Sequence, residues 1–368
     1  MKTKQPFVFL MAFALAAGVQ VASAQAGGAD DFKPSPYNQP GSQYPQINSE
    51  GKVRTRILAP DAQKVQLDIG AVKYDLVKNE EGIWIGESAP QDPGFHYYQL
   101  NIDGASVPDP GSMFYFGACR WGSGIEIPSN DQDMFAVKNV PHGQLREVLF
   151  PSASTNTSRR AFVYTPPGYE KETAKRYPVL YLQHGYCENE YSWPMQGRVN
   201  LIMDNLIAEG KAKPFIVVMT YGMTNEIQFG RLRDFDIKPF QTVLVDELIP
   251  FVDTQFRTLA NQPNRAMAGL SMGSMETKAI TMNRPEVFSH IGLFSGALYQ
   301  PEEVKNKSSI KLIFQSTGSK ERPDAVKKST EALKQSGINA TWYVSEGTAH
   351  EFHTWRRSLH QFAQLLFK

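Results

Sequence analysis

The feature that most constrains the fold is an alternation of apolar runs with amphipathic segments from about residue 141 to the C-terminus. The runs YPVLYLQ, FIVVMTYG, RAMAGLS, HIGLFSG, KLIFQST and TWYVSE are short and almost continuously apolar. Such runs are typical of parallel strands that helices cover on both faces. Residues 141–368 are therefore predicted to form an α/β domain that opens with an antiparallel hairpin in REVLF and RRAFVYTPP.

The segments between these runs have helical periodicity. One apolar face repeats at three- and four-residue spacing ahead of Gly210, where the helix is expected to end. Its members are Val199, Ile202, Met203, Leu206 and Ile207. Residues 241–257 repeat the pattern and include Pro250, so we expect a helix with a kink at this proline. A closing amphipathic helix is predicted in FHTWRRSLHQFAQLLF.

Residues 49–140 have the pattern of a small all-β domain. The strand-like runs VRTRIL, KVQLDI, GIWIGE and FHYYQLNID are separated by turn signals, and no long helical pattern interrupts them. This spacing predicts a β-sandwich. The aromatic residues of this segment suit either a sugar-binding platform or the packing of the core, and packing is the favoured interpretation. They include Trp84, Tyr97, Tyr98, Phe114, Tyr115 and Trp121.

The N-terminal 48 residues are expected to lie outside the two domains. Residues 1–24 have two lysines, an apolar run and a small-residue cleavage site at Ala22-Ser23-Ala24, which predicts a signal peptide and export to the periplasm or medium. Residues 25–48 are rich in Gly, Pro, Gln and Asn and are predicted to be a flexible leader. We expect no stable membrane insertion after cleavage, because no later segment resembles a membrane span.

Composition excludes several partners and sites. The formal net charge of +1 gives no reason to expect nucleic acid as a partner. No Cys, His and carboxylate cluster has metal-site spacing, so no metal is expected. The two cysteines, Cys119 and Cys187, lie far apart in the sequence, and unpaired thiols are favoured over a disulfide. The sequence does not indicate an oligomeric state.

A candidate nucleophile lies at the end of one predicted strand. Gly269-Leu270-Ser271-Met272-Gly273 matches the pattern G-x-S-x-G, and the match has the required strand before it and a helix-compatible stretch after it. Small residues on both sides allow a sharp turn that exposes Ser271 at its tip. The following helix directs its N-terminus at the site, where unpaired N–H groups favour negative charge. Ser271 is therefore predicted to be the nucleophile, with a structural turn as the alternative.

A serine nucleophile needs a histidine that accepts its proton. His350 and His353 lie in GTAHEFHTW, after the last predicted strand and before the last helix. His350 falls in the loop and His353 inside the helix, so His350 is the favoured base. His184 borders the site, but we interpret it as a structural residue.

The negative charge that forms on the substrate oxygen needs two N–H donors. The Met272 amide, directly after the nucleophile, is one candidate, and the loop after the first parallel strand should supply the other. This loop reads Leu182-Gln183-His184-Gly185-Tyr186-Cys187, and Tyr186 is the chosen donor. The Tyr186 side chain and Cys187 are expected to shape the pocket. Cys187 is not expected to be a nucleophile, because no separate histidine partner is visible for it.

Several of these stretches together resemble a known family. YPVLYLQHGYCENEYSWPMQGRVNLIMDNLIAEGKAKPFIVVM, RAMAGLSMGS, FSG and GTAHEFHTWRR resemble the carbohydrate esterase family 1 feruloyl and acetyl-xylan esterases, of the esterase D group of α/β-hydrolases. The N-terminal half resembles the small immunoglobulin-like (E-set) domain, related to glycogen-binding modules, that precedes some bacterial members. The resemblance implies an α/β-hydrolase catalytic domain preceded by an immunoglobulin-like all-β sandwich.

The triad acid is where this sequence departs from the family pattern. The family places an aspartate in a G-T-E-D-like turn after the strand read here as KLIFQST, whereas this chain has Gly318-Ser319-Lys320-Glu321. Glu321 stands at the aspartate position, and a glutamate can also orient the imidazole. Asp324 is the alternative acid, and its structural interpretation is a helix N-cap.

The resemblance implies an exported serine esterase that removes feruloyl or acetyl groups from plant cell-wall polysaccharide such as arabinoxylan, without a cofactor. Trp193 and Met195 are candidates for the substrate pocket or, equally, for the core. One alternative is a siderophore esterase, because the enterochelin esterases resemble the same catalytic fold. Another is a glycan-binding protein that has lost its esterase activity, which the altered acid would favour.

Overall fold

The computed structural model describes residues 30–224 and 236–368 of the chain. The predicted signal peptide, residues 1–24, lies outside the described residues. Residues 32–368 form one compact unit, so the predicted boundary near residue 140 stays a prediction. Within the two described ranges, none of the helices has both the length and the apolar character needed to cross a membrane.

The N-terminal part contains two antiparallel β-sheets. The first sheet has the strand order β1-β2-β3-β7-β6, and the second has the order β10-β11-β8-β4-β5 with β9 beside β8. The strands are β1 Lys33–Pro34, β2 Gln46–Ile47, β3 Val53–Leu58, β4 Val65–Ile69, β5 Val72–Asp75, β6 Val77–Lys78, β7 Ile83–Glu87, β8 Gly94–Ile102, β9 Ala105–Val107, β10 Phe114–Gly117 and β11 Arg120–Ile127. The strands expected in VRTRIL, KVQLDI, GIWIGE and FHYYQLNID are confirmed as β3, β4, β7 and β8.

One hydrophobic core joins the two sheets. Val53 and Trp84 enter it from the first sheet, and Leu67, Tyr98 and Ile125 enter it from the second. The alternation of buried and partly buried residues along β4 directs every second side chain into this core. Two sheets that share a core have the arrangement of a sandwich; its relation to immunoglobulin-like domains stays a prediction.

The expectation of a flexible leader over residues 25–48 is wrong for the residues that the structure describes. Ile47 is buried in the core between the sheets, and β2 pairs with β3. Asn38 bridges to Ser112, and the Gln39 N–H donates to the Gly111 carbonyl (2.9 Å). Strands of two residues leave no detectable periodicity in a sequence, so composition alone was misleading here.

The aromatic residues of the N-terminal part divide between the core and the surface. Trp84, Tyr98 and Tyr115 are buried, as the packing interpretation predicted. Phe114 and Trp121 remain exposed, at 40% and 48%. The Trp121 ring lies 5.5 Å from the ring of Tyr191 in the C-terminal part, so it contributes to the contact between the two parts.

The C-terminal part is an eight-stranded mixed sheet with helices, which confirms the α/β prediction. The sheet order is β12-β13-β15-β14-β16-β17-β18-β19. Its strands are β12 Gln144–Ser152, β13 Thr157–Thr165, β14 Val179–Gln183, β15 Ile216–Thr220, β16 Arg265–Leu270, β17 His290–Phe294, β18 Leu312–Gly318 and β19 Ala340–Ser345. The helices are α1 Ser192–Met195, α2 Val199–Ala208, α3 Lys238–Gln241, α4 Ile249–Gln255, α5 Met272–Asn283, α6 Pro323–Gln335 and α7 Phe352–Ala363. Short 3-10 helices cover Gln132–Phe135, Gln262–Asn264, Pro301–Glu303 and Lys307–Ser309.

Helices cover both faces of this sheet. β12 and β13 form the predicted antiparallel hairpin, and β14 to β19 run parallel to one another. Alternate residues of β14 point to opposite faces: Leu180 and Leu182 join the core with α2 and α7, and Tyr181 joins the core with α4 and α5. The carboxyl ends of the parallel strands thus meet at one edge, where open α/β sheets hold their ligands.

The helix predicted over residues 241–257 is built differently from the expectation. Residues 238–255 form α3, a π-helical segment Thr242–Leu248 and α4. Pro250 lies in the first turn of α4, where its missing N–H is tolerated. A π-helical segment thus lies directly ahead of α4, and the kink expected at Pro250 stays a prediction.

Candidate active site

Ser271 occupies a tight turn between β16 and α5. Its backbone angles, φ 52° and ψ −111°, lie outside the conformations that a non-glycine residue usually adopts. The turn requires glycine on both sides: a Cβ on Gly269 would lie 2.4 Å from the Gly273 carbonyl, and a Cβ on Gly273 would lie 2.6 Å from the His184 oxygen. The sequence therefore folds here into the strained strand-to-helix turn that exposes a serine hydroxyl.

The structure brings Ser271, His350 and Glu321 into one hydrogen-bonded chain. His350 Nε2 lies 2.9 Å from Ser271 Oγ, and His350 Nδ1 lies 2.8 Å from Glu321 Oε1. The Ser271 hydroxyl donates to Nε2, and the Nδ1–H donates to the carboxylate. Each residue follows a different strand, β16, β18 or β19, at the same edge of the sheet. This geometry is that of a nucleophile, a base and an orienting acid.

Glu321 is held in its ionised form. Its Oε2 accepts hydrogen bonds from the Ser295 hydroxyl (2.7 Å), the Thr317 hydroxyl (3.1 Å) and the Gly318 N–H (2.7 Å). Burial alone would raise the pKa of this carboxyl, but the hydrogen bonds from His350, Gly318 and Ser295 outweigh it and lower the pKa from 4.5 to about 2. The carboxylate therefore stays ionised at neutral pH and can stabilise an imidazolium.

The segment Phe294-Ser295-Gly296 supports two members of this chain. The Phe294 carbonyl accepts the Ser271 N–H (2.9 Å), and Ser295 donates its hydroxyl to Glu321. A Cβ on Gly296 would lie 2.7 Å from the Ser271 carbonyl oxygen. The FSG stretch thus fixes the nucleophile turn and the acid at the same time.

The other candidate acid and bases do not reach Ser271. Asp324 is exposed in the first turn of α6 and is not the N-cap, which is Arg322. His353 is buried on α7, with Nε2 3.1 Å from Asp131. His184 is buried, donates from Nδ1 to the Gly185 carbonyl and accepts the Gly222 N–H at Nε2, and burial lowers its pKa to about 4. His184 therefore stays neutral and hydrogen-bonds two backbone segments, at Gly185 and Gly222, which agrees with its interpretation as a structural residue.

The two residues predicted as oxyanion donors are Met272, at the start of α5, and Tyr186, in the loop after β14. Met272 is the first residue of α5, so its N–H has no acceptor within the helix. Tyr186 belongs to the loop between β14 and α1, in the turn from Gly185 to Glu188. Glu188 closes this turn, because its Oε2 accepts the Gly185 N–H (2.9 Å) and its own N–H donates to the Gly185 carbonyl (3.3 Å). The donor roles of Met272 and Tyr186 remain predictions.

The expectation that Cys119 and Cys187 are unpaired is wrong. They form a disulfide, and the Cys119 N–H also donates to the Cys187 carbonyl (2.9 Å). Cys119 lies in the turn between β10 and β11, and Cys187 directly follows Tyr186. A separation of 68 residues in the sequence gave no sign that the fold brings these two turns together.

A cleft of about 290 Å³ opens beside His350. One wall comes from the N-terminal sheets, through the β4–β5 turn and β8, and the other comes from the start of α7. The lining residues are Gly70, Ala71, Phe95, His96, Tyr97, Glu188, His350, Glu351, Phe352 and Trp355. The Trp355 ring is perpendicular to the His350 imidazole, with the ring centroids 5.1 Å apart. Four of these ten residues are Phe, Tyr or Trp, and the cleft borders the His350 imidazole.

The residues predicted to shape the pocket do not line this cleft. Trp193 is 1% exposed, belongs to the main core and donates its indole N–H to the Gln183 carbonyl (2.8 Å). Met195 packs against the same core, and Cys187 is bridged to Cys119. For Trp193 and Met195, the core interpretation is the one that agrees with the structure.

Sequence reasoning missed several residues of the site. Glu188 is 6% exposed although it stands in the charged stretch CENEY, which reads as a solvated loop. Burial raises the pKa of Glu188 from 4.5 to about 8, against the opposing effect of the Gly185 hydrogen bond. Tyr97 also lines the cleft, but in the sequence it is only one of several aromatic residues of the N-terminal part. Trp355 lies on α7, five residues after His350. This short separation in the sequence was the only indication that its ring could contact the His350 imidazole.

Comparisons with known proteins relate the chain to esterases. Residues 152–365, more than half of the chain, match the family described as putative esterase. An endo-1,4-beta-xylanase/feruloyl esterase of Xylanibacter ruminicola is 55% identical over 347 residues, which cover 92% of this chain and 48% of the relative. The chain thus spans about half the length of this relative.

Solved structures that share the fold include two esterases. A family 1 ferulic acid esterase of the anaerobic fungus Anaeromyces mucronatus matches with a TM-score of 0.55 and 23% identity, over 65% of this chain and 96% of the other. The enterobactin esterase of Shigella flexneri matches with a TM-score of 0.62 and 16% identity, over 85% and 92% of the two chains. Because the family match covers more than half of the sequence and includes Ser271, His350 and Glu321, the chain belongs to this family of esterases.

Proposed function

We propose that the protein is a serine carboxylic-ester hydrolase that releases feruloyl groups from plant cell-wall polysaccharide such as arabinoxylan. The observation that carries the proposal is the hydrogen-bonded chain from Ser271 Oγ through His350 to Glu321, with spacings of 2.9 and 2.8 Å. These distances are within the reach that proton transfer and imidazole orientation require.

In the first half of the reaction, Ser271 Oγ attacks the ester carbonyl carbon while His350 Nε2 takes the hydroxyl proton. The Met272 and Tyr186 N–H groups donate to the oxygen that becomes negative. Glu321 stabilises the imidazolium, which then gives its proton to the departing alcohol oxygen of the polysaccharide. Collapse of the tetrahedral intermediate leaves the acyl group on Ser271.

In the second half, a water molecule attacks the acyl carbonyl and His350 takes its proton. His350 then returns this proton to Ser271 Oγ as the acid leaves, so the enzyme is regenerated without a net change. The exposed face of His350, whose side chain is 48% accessible, gives both the sugar alcohol and the water a route to Nε2.

The aromatic cleft supports ferulate rather than acetate as the acyl group. Phe95, Tyr97, Phe352 and Trp355 line it. Phe95, Phe352 and Trp355 are at most 6% exposed and also belong to the core, so the partly buried Tyr97 ring is the most accessible of the four. The volume of about 290 Å³ is near the lower end of small-molecule sites, roughly 300–1,000 Å³. The 55% identical relative, named as a xylanase/feruloyl esterase, supports the same substrate class.

Export and an immunoglobulin-like character of the N-terminal sheets are part of the same proposal. The lysine-led apolar run and Ala22-Ser23-Ala24 support cleavage before Gln25. Export would bring the enzyme to a polymer that does not enter the cell and would permit the disulfide. Mass measurement of the secreted chain tests the cleavage site.

The proposal is tested by ferulate and acetate release from arabinoxylan, with Ser271→Ala as the matched control. We expect ferulate release, and a decrease in turnover on the order of 10⁶-fold in the variant, as nucleophile removal causes in serine hydrolases. Release of acetate without ferulate would show that the enzyme removes acetyl groups instead of feruloyl groups. A parallel assay with a catecholate siderophore ester covers the function of the structurally similar enterobactin esterase. Ferulate release that survives Ser271→Ala would refute the nucleophile.

A further inference from the structure

The loop that carries Tyr186 is attached to the N-terminal sheets. Cys187, the next residue, is bonded to Cys119 in the turn between β10 and β11. A hydrogen bond from the Cys119 N–H to the Cys187 carbonyl (2.9 Å) runs beside the disulfide. The β10–β11 hairpin therefore holds the backbone directly after the proposed oxyanion donor.

Both ends of the disulfide lie in backbone that needs support. Cys187 has φ 60° and Cys119 has φ 61°, which is the left-handed region that non-glycine residues seldom adopt. Such conformations persist where the surrounding structure determines them. Within the loop, the Glu188 carboxyl accepts the Gly185 N–H (2.9 Å) and closes the turn that contains Tyr186. The disulfide then fixes this closed turn at Cys187.

The hairpin is itself fixed against the α/β part, so it can act as an anchor. The Gln196 side-chain amide donates to the Phe116 carbonyl and to the Tyr97 hydroxyl, both at 2.7 Å. The Trp121 ring of β11 contacts the ring of Tyr191, with centroids 5.5 Å apart. An anchor with these contacts cannot move freely with the loop.

We infer that the Cys119–Cys187 disulfide is a positioning element of the esterase site, which makes the β10–β11 hairpin fix the Tyr186 N–H against the substrate oxyanion. The inference rests on the proposed function, because only a reaction through an oxyanion depends on where this N–H points. The disulfide touches no reacting atom and acts through the loop. Its loss should therefore slow acyl transfer more than it weakens substrate binding.

Three forms of the protein test the inference: Cys119→Ser, the wild type reduced with dithiothreitol, and Lys138→Met as a control. Reduction gives two thiols, with two electrons and two protons from the dithiol, which becomes a cyclic disulfide. The chain has no other cysteine, so the reductant acts at one place. Lys138 also contacts the α/β part, through Glu209 (3.1 Å), but lies at neither the loop nor the cleft.

The readouts are kcat and KM for a feruloyl ester, and the rate at which an alkyl fluorophosphonate labels Ser271, all far below the unfolding temperature. A misplacement of about 1 Å costs up to roughly 10²-fold, and losing one oxyanion donor costs roughly 10²–10³-fold. We expect kcat and the labelling rate to fall about 10- to 100-fold in Cys119→Ser and in the reduced wild type. KM should change by less than about threefold, and Lys138→Met should keep the wild-type kcat.

A purely structural disulfide would give a different result: a lower unfolding temperature with unchanged kcat and labelling rate. That result would overturn the inference while the proposed function stands. If Cys119→Ser does not fold, the reduced wild type, made after folding, gives the same comparison. A wild type that labels with the phosphonate but hydrolyses no feruloyl ester would overturn the proposed substrate. The labelling rates would then decide the inference separately.

Discussion

Replacement of Glu321 by glutamine should remove most of the activity while it changes few atoms. The two carboxylate oxygens of Glu321 accept four hydrogen bonds, from His350 Nδ1, Ser295, Thr317 and the Gly318 N–H. A glutamine has one acceptor oxygen and one NH₂ group, so its nitrogen would face donors in either orientation. Glu321→Gln therefore removes the partner that selects the reactive tautomer of His350.

The expected loss is about 10⁴-fold in kcat, the effect of the equivalent acid-to-amide change in a serine protease triad. The expected change in KM is small, because Glu321 lies behind His350 and touches no substrate. Stability should change too. A pKa lowered from 4.5 to about 2 corresponds to about 3 kcal/mol of folding free energy. This contribution is present above pH 4.5 and is lost as the pH falls through about 2, so the two proteins should converge in acid.

The assay is steady-state hydrolysis of a feruloyl ester, with chemical unfolding at pH 7 and pH 3 on the same samples. Asp324→Asn is the matched control, because Asp324 is an exposed carboxyl three residues along the chain. We expect wild-type kcat in the control. A loss in Asp324→Asn as large as that in Glu321→Gln, or near-normal kcat in Glu321→Gln, would refute the assignment of the acid.

Two further predictions concern the turns that flank the nucleophile. Glu188→Gln should raise the unfolding free energy at neutral pH by up to about 3 kcal/mol, because a carboxyl whose pKa is raised by burial destabilises the fold as the pH rises from 4.5 towards 8. Urea unfolding at pH 4.5 and 7.5 checks it, and equal differences from wild type at the two pH values would contradict it. Gly273→Ala should destabilise the fold by about 1–3 kcal/mol, because its Cβ would lie 2.6 Å from the His184 carbonyl oxygen. An unchanged urea unfolding curve would contradict this prediction, because it would show that the backbones at Gly273 and His184 move apart at little cost in free energy.

The part of the site that could be predicted is the part that local sequence determines. Ser271 is recognisable because two glycines, a buried strand and a helix adjoin it in the sequence, and each leaves a pattern within a few residues. His350 is recognisable because a loop histidine between a strand and a helix is free to reach the strand ends. The structure brings both residues together because parallel strands all end at the same edge of the sheet.

The acid shows the limit of position-based reasoning. A turn in which the Glu321 N–H donates to the Gly318 carbonyl (3.1 Å) brings the carboxyl back beneath His350, so the extra methylene of glutamate is accommodated. Asp324 stands only three residues further on, but α6 has begun at Pro323 and its first turn presents this side chain to solvent. The sequence contained both carboxyls at similar distance from the strand. Only the point at which the helix starts separates them.

The contribution of the N-terminal sheets depends on contacts between residues that are distant in the sequence. Tyr97 enters the cleft from β8, and Cys119 holds the loop after Tyr186 from the β10–β11 turn. Neither residue belongs to a motif, because the recognisable motifs of the family are concentrated in residues 141–368. A reading that follows motifs therefore treats residues 49–140 as an appended module. The physical contacts instead make these sheets one wall of the cleft and one support of the proposed oxyanion loop, so substitutions there should affect the reaction.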